Sequence, residues 1–290
     1  MAPQPNGILV GVDGSPDSEA AIRWATREAI LHEQPVKLLH AIPPVVVTWP
    51  VAYLETSYLE AQEANAREII ENAQQLVQKI AADSGASAPK IQTKICNLGA
   101  PSAMVSESRD AYMSVCGSRG LGAIGRALLG SVSGGLLHHG QGPIVVVPAE
   151  ATVDEKAPVL LGIDGSPASE EATALAFDEA SRRGADVLAL HAWSDVVYPA
   201  LGGWQGYEEE AQALLAERLA GWRERYPDVT VHRRVVCDQP AKWLIDLSED
   251  AQLVVVGSHG RGGFKGLLLG SVAARVAQGA KAPTIVVRPR

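Results

Sequence analysis

The sequence comprises 290 residues, of which 47% are hydrophobic and 20% are charged, values that are ordinary for a globular protein. Its formal net charge of −8 argues against a general binder of nucleic acid or anionic membranes, because phosphate groups repel such a surface. The three cysteines form no CxxC pair, no apolar run approaches about 18 residues, and no leader precedes the first strand, so we expect a cytoplasmic protein without a membrane span, disulfide framework or zinc site.

Strands and helices are predicted to alternate from the start of the chain. The β-branched run "GILVGVD" at 7–13 is typical of a strand that is buried on both faces. A helix is predicted to follow it, with Ser15 or Asp17 as the N-cap and Pro16 in the first turn. Gly85 suits the C-terminal cap of a second, long helix. Further strands are predicted at 36–42, 90–96, 111–117 and 143–148, separated by helices at 59–85, 100–110 and 131–139.

The second half of the chain repeats the first. "ILVGVDGS" from Ile8 aligns with "VLLGIDGS" from Val159, and the closing strands "GPIVVVP" and "APTIVVRP" also correspond. A period of this length indicates a duplicated domain, so we predict two domains, 1–150 and 151–290, with the second copy shorter between its second strand and second helix. Each domain is predicted to be an α/β fold in which helices cover both faces of a five-stranded parallel sheet.

Two glycine-rich stretches share the spacing G-x2-G-x9-G-S: "GSRGLGAIGRALLGS" at 117–131 and "GSHGRGGFKGLLLGS" at 257–271. Each follows a fourth strand, so it is predicted to lie at the carboxyl edge of the sheet, where open α/β folds bind ligands. Glycine permits close approach, and the start of the next helix offers unpaired N–H donors. Ser131 and Ser271 can cap that helix or donate to a phosphate oxygen. The pattern therefore predicts a phosphate cradle, with a nucleotide as the expected ligand.

The chain resembles the universal stress proteins in their tandem two-domain form, over nearly its whole length. The resemblance rests on "GVDGS" and "GIDGS" after the first strands, on the doubled glycine spacing, and on the closing strands. It implies a Rossmann-like fold of the adenine nucleotide alpha hydrolase type, ATP with Mg²⁺ as the ligand, a fifth strand that pairs with its counterpart, and association of whole chains into a homodimer.

The resemblance also implies a site, residue by residue. In the ATP-binding branch of the family, the loop glycines and the following Ser hold phosphates, the strand-one Asp lies at the nucleotide, and a small residue ending strand two packs by the adenine. The residue before the Asp is expected to wall the base, and the residue after the Ser to offer a backbone N–H. The positions implied in the first copy are Val12, Asp13, Ala41, Gly117, Gly120, Gly130, Ser131, Val132 and Ser133. Those implied in the second copy are Ile163, Asp164, Ala192, Gly257, Gly260, Gly270, Ser271 and Val272, with Ala273 where the first copy has Ser133.

Several of these residues have two readings. Arg119 and His259 occupy the same position in the two loops, and each either faces the anion or lies in solvent. Asp13 and its counterpart either face the nucleotide or only open a helix, since Asp-Gly-Ser is a common turn composition. If Gly117 and its counterpart serve close approach to phosphate, replacing both by Ala is expected to block the ligand and spare the fold. Cys116 is predicted to be a small buried hydrophobe.

No catalytic residue is predicted. An ATPase or a kinase needs a base or a water-activating group beside the γ-phosphate, and the Asp is the one candidate that both copies contain. His40 and His191, at the ends of the second strands, are more typical of structural residues than of acid–base catalysts. The sequence contains no P-loop, and it lacks the HxGH and SGGxDS signatures of related nucleotidyl-transfer enzymes. We therefore predict an ATP-binding regulatory protein of the stress response, with a slow ATPase or nucleotidyl-transfer enzyme as the alternative.

Overall fold

A computed structural model describes residues 7–43, 52–120, 129–151, 154–193, 204–260 and 268–288. The chain divides into two compact units, Met1–Ala149 and Glu150–Arg290. Both units alternate strands with helices around a parallel sheet, so the predicted fold class is confirmed.

The first unit contains five described strands and four described α-helices. The strands are β1 (Ile8–Gly11), β2 (Val36–Ala41), β3 (Ile91–Cys96), β4 (Met113–Gly117) and β5 (Ile144–Val147). The helices are α1 (Pro16–Leu31), α2 (Ala52–Asp83), α3 (Ala100–Glu107) and α4 (Ser131–His139), and a 3-10 turn (Ser108–Asp110) follows α3.

The second unit repeats this order with one helix interrupted. Its strands are β6 (Val159–Gly162), β7 (Val187–Trp193), β8 (Val231–Cys237), β9 (Leu253–Gly257) and β10 (Thr284–Val287). Its helices are α5 (Pro167–Arg183), α6 (Trp204–Leu219), α7 (Trp222–Arg225), α8 (Pro240–Leu247) and α9 (Ser271–Gly279), and a 3-10 turn (Ser248–Asp250) follows α8. Whereas α2 has 32 residues, α6 has 16 and ends just before Gly221, whose φ is +81°. The second copy is therefore shorter at this helix and not ahead of it as predicted, since the connections from β2 to α2 (42–51) and from β7 to α6 (194–203) have the same length.

The strand order places the carboxyl ends of β1 and β4 side by side. In the first unit the order is β3-β2-β1-β4-β5, with every pair parallel. Ile8 pairs with Val36 on one side and with Met113 on the other, so the chain order reverses beside β1. The second unit has the equivalent order β10-β9-β6-β7-β8. Such a reversal leaves a crevice beyond the strand ends, and ligands of α/β folds bind there.

Local sequence signals account for the helix ends. Ser15, and not Asp17, is the N-cap of α1, because its Oγ accepts a hydrogen bond of 3.1 Å from the amide of Ser18. Pro16 is the first helical residue, where its missing N–H costs nothing. Gly85 lies just beyond α2 with a φ of +69°, so it ends that helix in the left-handed conformation as predicted.

Helices bury both faces of the central strands. Every residue of β4 and of β5 is buried, which is typical of parallel strands covered on two sides. In the first unit α1 packs on α2, and α3 packs on α4. Helix α2 also packs on β2 and β3, so it covers one face of the sheet and the strand ends remain the open edge.

A partly exposed ion cluster gives the first unit a pH-dependent contribution to stability. Glu107, at the end of α3, binds Lys37 of β2 and Lys94 of β3, the latter at 2.6 Å. Hydrogen bonds from Lys37, and then from Lys94, lower the pKa of Glu107. A folded pKa below the unfolded one contributes stability above the unfolded value, near 4.5, and that contribution is lost as the pH falls through the folded value.

We therefore expect Glu107→Gln to lower the free energy of unfolding at neutral pH by about 1 kcal/mol or less, because the carboxylate is partly solvated. Below about pH 4.5 the difference from the wild type should shrink. Urea unfolding at a series of pH values measures this. Glu63→Gln is the matched control, since the Glu63–Arg67 pair is exposed, and it should leave the pH dependence unchanged. Parallel pH profiles for Glu107→Gln and the wild type would contradict the assignment.

Candidate functional site

Asp13 follows β1 and shapes the turn into α1. Its Oδ1 accepts hydrogen bonds from the amide of Ser15, at 3.0 Å, and from the Ser15 hydroxyl, at 2.6 Å. In the second unit Asp164 Oδ1 accepts from the amide of Ser166 at 2.9 Å. In both copies the Asp therefore stabilises the turn that opens the helix, one of the two interpretations that the sequence allowed.

The second carboxylate oxygen of Asp13 faces the glycine-rich loop. A methyl group on Gly120 would lie 2.5 Å from Asp13 Oδ2, and Gly260 meets Asp164 Oδ2 in the same way. Glycine at these two positions leaves room for the carboxylate. One Asp thus connects the end of the first strand with the loop that leaves the fourth.

The ends of each loop are joined by a hydrogen bond. The amide of Ser118 donates to Val147 at 2.9 Å and extends the β4–β5 pairing by one residue. The amide of Gly130 then donates to the Ser118 carbonyl, also at 2.9 Å, and closes a neck across the loop. In the second unit the amide of Gly270 donates to Ser258 at 2.7 Å. Residues 121–128 and 261–267, the middle of each loop, lie outside the described residues.

The first glycine of each loop makes room for a helix. A methyl group on Gly117 would lie 2.7 Å from the backbone carbon and oxygen of Asp17, in the first turn of α1. One on Gly257 would lie 2.7 Å from the backbone carbon of Ala168 in α5. Such distances are too short for a real Cβ contact, and the opposing atoms belong to a rigid backbone. At these two positions glycine therefore accommodates the backbone of the neighbouring helix. Gly117→Ala is expected to disturb the fold, contrary to the prediction from the sequence.

The neck leads directly into the start of α4. Gly130 is its N-cap residue with extended dihedral angles, φ −64° and ψ 164°, and it has no side chain to cap the first turn. Ser131 is exposed and is the first helical residue, so among the described residues it does not act as the cap that the sequence allowed. The first-turn N–H groups of an α-helix lack intrahelical partners and carry the positive end of its dipole. Gly270 and Ser271 begin α9 in the same manner.

Ser133 lines the cavity, and its hydroxyl is hydrogen-bonded within the loop. It is buried, and its hydroxyl lies 3.0 Å from the Gly130 carbonyl and 3.1 Å from the Ser118 carbonyl, to which it donates. The hydroxyl therefore supports the neck of the loop. Ala273 takes this position in the second unit and leaves its neck without that support.

A cavity of about 590 Å³ opens at this edge of the first unit, within the range of about 300–1,000 Å³ that holds small-molecule ligands. Val12 follows β1, and Ala41 and Ile42 lie at the end of β2, whereas the loop residues of the lining follow β4 on the other side of β1. Every position of the predicted first-copy site lines it, together with Arg119. The complete lining is Gly11, Val12, Asp13, Ser18, Leu39, His40, Ala41, Ile42, Pro43, Gln62, Asn65, Ile69, Ala100, Met104, Cys116, Gly117, Arg119, Gly120, Leu129, Gly130, Ser131, Val132 and Ser133.

The second unit brings its predicted positions to the same strand ends. The amide of Ile163 donates to Leu190 at 2.9 Å, as that of Val12 donates to Leu39 at 2.9 Å. Ala192 lies in β7, the counterpart of β2. The equivalent hydrogen bonds show that the residue preceding each Asp extends the central strand pairing in both copies.

Asp17 is a functional candidate that the sequence considered only as a helix cap. Its Oδ1 accepts a hydrogen bond of 2.8 Å from the Ser118 hydroxyl and one of 3.0 Å from the Arg119 amide. The Arg119 guanidinium lies 4.0 Å from the same oxygen. Side chain and loop are 101 residues apart in the chain, so no local pattern could have paired them.

The histidines and the cysteine at this edge are structural. His40 donates from Nδ1 to the Val12 carbonyl at 2.8 Å, and His191 donates to the Ile163 carbonyl at 2.7 Å. Both rings thus tie the second strand of a unit to the end of the first, in agreement with the structural reading. Burial raises the pKa of the Cys116 thiol to about 12, so it stays protonated and inert, as predicted for a small buried hydrophobe.

Comparisons with known proteins give one consistent likeness. The model of the "Universal stress protein family" matches residues 6–148 and again residues 157–288. A universal stress protein of Mycolicibacterium smegmatis is 56% identical over 288 residues, 98% of this chain and 97% of that protein. One of Mycobacterium tuberculosis is 48% identical over 287 residues, 97% of this chain and 96% of that protein.

A solved structure of low sequence identity shares the fold. The crystal structure of a universal stress protein from Archaeoglobus fulgidus has a TM-score of 0.70 and 19% identity, covering 98% of this chain and 99% of that one. None of the helices among the described residues is long and apolar enough to cross a membrane.

Proposed function

The chain belongs to the universal stress protein family, and from that premise and the geometry of the cleft we propose that it is a regulatory protein that binds ATP with Mg²⁺, at one site in each of the domains 1–150 and 151–290. The sites are those predicted from the sequence, with Arg119 and His259 beside the phosphates. Asp17 joins the first site through its contacts with the loop. Ser133 lines that site while its hydroxyl supports the neck.

The cavity lining, apolar at the end of β2 and glycine-rich after β4, supports a nucleotide. Val12, Ala41 and Ile42 form a wall suited to the flat apolar faces of a base. Gly130 and Arg119 belong to the loop after β4, where backbone N–H groups and a guanidinium suit phosphate oxygens. A ligand with one apolar end and one anionic end matches this order.

The observation that carries the proposal is the neck between Ser118 and Gly130. It brings the start of α4 to the cavity beyond β1 and β4, with first-turn N–H groups that no described side chain caps. Such helix N-termini bind phosphate through their N–H donors and dipole. These donors are neutral backbone groups, so they hold an anion even in a protein with a net charge of −8.

Asp13 is the carboxylate placed to reach a ribose hydroxyl or a phosphate-bound Mg²⁺. Its Oδ1 is engaged by Ser15, and its Oδ2 faces the loop at Gly120. Carboxylate oxygens are common ligands of Mg²⁺, which usually keeps several waters and binds through one or two carboxylates together with phosphates.

Protein purified without added nucleotide tests the ligand directly. We expect mass spectrometry of the released small molecules to find ATP, and calorimetry to show two sites per chain. Adenosine and inorganic tripolyphosphate should each bind at least about tenfold more weakly than ATP, because each fills one end of the cavity. Equal binding of ATP and adenosine would contradict a phosphate site in the loop.

Single-turnover kinetics on bound ATP separates the regulatory reading from the enzymatic one. We expect hydrolysis over hours. A first-order rate of about one per second, which is typical of enzymes, would instead establish an ATPase on this fold. Transfer of a nucleotidyl group would appear as release of pyrophosphate in place of phosphate.

A further inference from the structure

We propose that Asp17 is a positioning residue that holds the phosphate loop of the first unit in its binding conformation, and that its absence from the second unit makes the two nucleotide sites unequal. This inference rests on the proposed function. Asp17 does so through one oxygen, Oδ1, which accepts from the Ser118 hydroxyl at 2.8 Å and from the Arg119 amide at 3.0 Å.

These contacts lie where the loop begins. Ser118 also forms one side of the neck, since its carbonyl accepts from the Gly130 amide. The Asp17 side chain is only 15% exposed, so water competes poorly for its oxygen. By binding the residues on both sides of one peptide group, the carboxylate restricts the loop before any ligand arrives, and a ligand then loses less conformational freedom on binding.

The second unit lacks this contact. Ala168 occupies the position of Asp17. There the Ser166 hydroxyl donates to the His259 carbonyl at 2.9 Å, whereas its counterpart Ser15 donates to Asp13. The Ser258 hydroxyl turns to His259 Nδ1, also at 2.9 Å. At the position of Asp17 the second unit thus has no carboxylate. The start of its loop is bound by the Ser166 hydroxyl, whereas that of the first loop is bound by the Asp17 carboxylate.

The negative charge of Asp17 disfavours phosphate binding, whereas its position favours it. A carboxylate beside the Arg119 guanidinium, 4.0 Å away, offsets the positive charge that would attract phosphate. Asp17 therefore favours binding by its position alone. Asparagine keeps an acceptor oxygen for Ser118 and Arg119 but removes the negative charge, so it separates the two effects.

The test compares Asp17→Ala with Asp17→Asn in a chain whose second site is disabled by Ser271→Glu. Calorimetry should show that Asp17→Ala weakens ATP binding by about tenfold, the equivalent of one hydrogen bond to a charged group. Asp17→Asn should bind as tightly as the parent or up to several-fold more tightly. Glu19→Ala is the matched control, because Glu19 is an exposed acid in the same helical turn and pairs with Arg23; it should leave the affinity unchanged.

Amide hydrogen exchange distinguishes positioning from a loss of stability. In Asp17→Ala the Arg119 amide should exchange faster while the amides of β4 keep their protection, because only the loop is released. Uniformly faster exchange would assign Asp17 a merely structural role and overturn the proposal. So would unchanged ATP affinity in Asp17→Ala, or equal losses in the Ala and Asn variants. If the parent with Ser271→Glu binds no ATP at all, the proposed function itself fails.

Discussion

Ser131→Glu is expected to weaken ATP binding in the first domain by at least about 100-fold without lowering the stability of the fold. Ser131 is exposed at the first position of α4 and lines the cavity, so a glutamate there enters no packed core. A carboxylate near a helix N-terminus is favourable by about 0.3–1 kcal/mol. The same charge repels a bound phosphate: two unit charges about 4 Å apart interact by about 4 kcal/mol near a protein surface.

Opposite effects on binding and stability make this a specific test. Calorimetry with ATP and thermal unfolding of the same samples measure both. Ser131→Gln is the matched control, because it has nearly the same shape without the charge, and it should lose less than about tenfold in affinity. Ser271→Glu should act likewise in the second domain, and the double variant should purify without nucleotide. Tight ATP binding by Ser131→Glu would mean that the phosphates lie elsewhere.

Gly117→Ala is expected to destabilise the first domain by about 1–3 kcal/mol, the usual cost of forcing an extra methyl group into a packed site. The added methyl would meet the Asp17 backbone at 2.7 Å, and the first turn of α1 has to shift to admit it. Gly257→Ala should cost a similar amount, because Ala168 of α5 approaches equally closely. Urea unfolding followed by circular dichroism measures the loss.

Gly134→Ala is the matched control within the same unit. Apart from the nearby backbone of its own helix, no atom of the described residues lies within 4 Å of a methyl group placed there, and the residue is inside α4. Ala should therefore stabilise the helix by about 0.5–1 kcal/mol. If Gly117→Ala were as stable as the wild type yet lost its ATP, the methyl would be meeting the ligand and not the helix, and the packing role assigned here would be wrong.

Much of the fold was predictable from local signals. The β-branched runs predicted the central strands, and Ser15, Pro16 and Gly85 lie at the helix ends where their chemistry is favourable. These features depend on residues within about one helical turn or one strand, so the order of residues along the chain contains the needed information. The duplication strengthened each inference, because the same sequence pattern occurs in both domains and predicts the same elements in each.

The roles of individual loop residues were less predictable. The sequence predicts that Ser133 contacts a ligand; the structure adds that it lines the cavity while its hydroxyl donates to backbone carbonyls of the neck. A hydroxyl at a given spacing is compatible with either partner. Its direction depends on how the loop returns to α4, and this is set by the Gly130–Ser118 hydrogen bond across the loop.

The sequence by itself determined the duplicated α/β fold and the placement of the glycine-rich loops at the carboxyl edge, because hydrophobic period and glycine spacing are properties read along one dimension. Only the tertiary structure decided what each glycine and carboxylate meets. Gly117 opposes the backbone of α1, and Asp17 binds a residue 101 positions away, because the packing of α1 across β4 sets both contacts. For the same reason the effect of Ala168 at the position of Asp17 in the second copy is visible only in the structure: the start of the first loop is bound by the Asp17 carboxylate, and that of the second by the Ser166 hydroxyl.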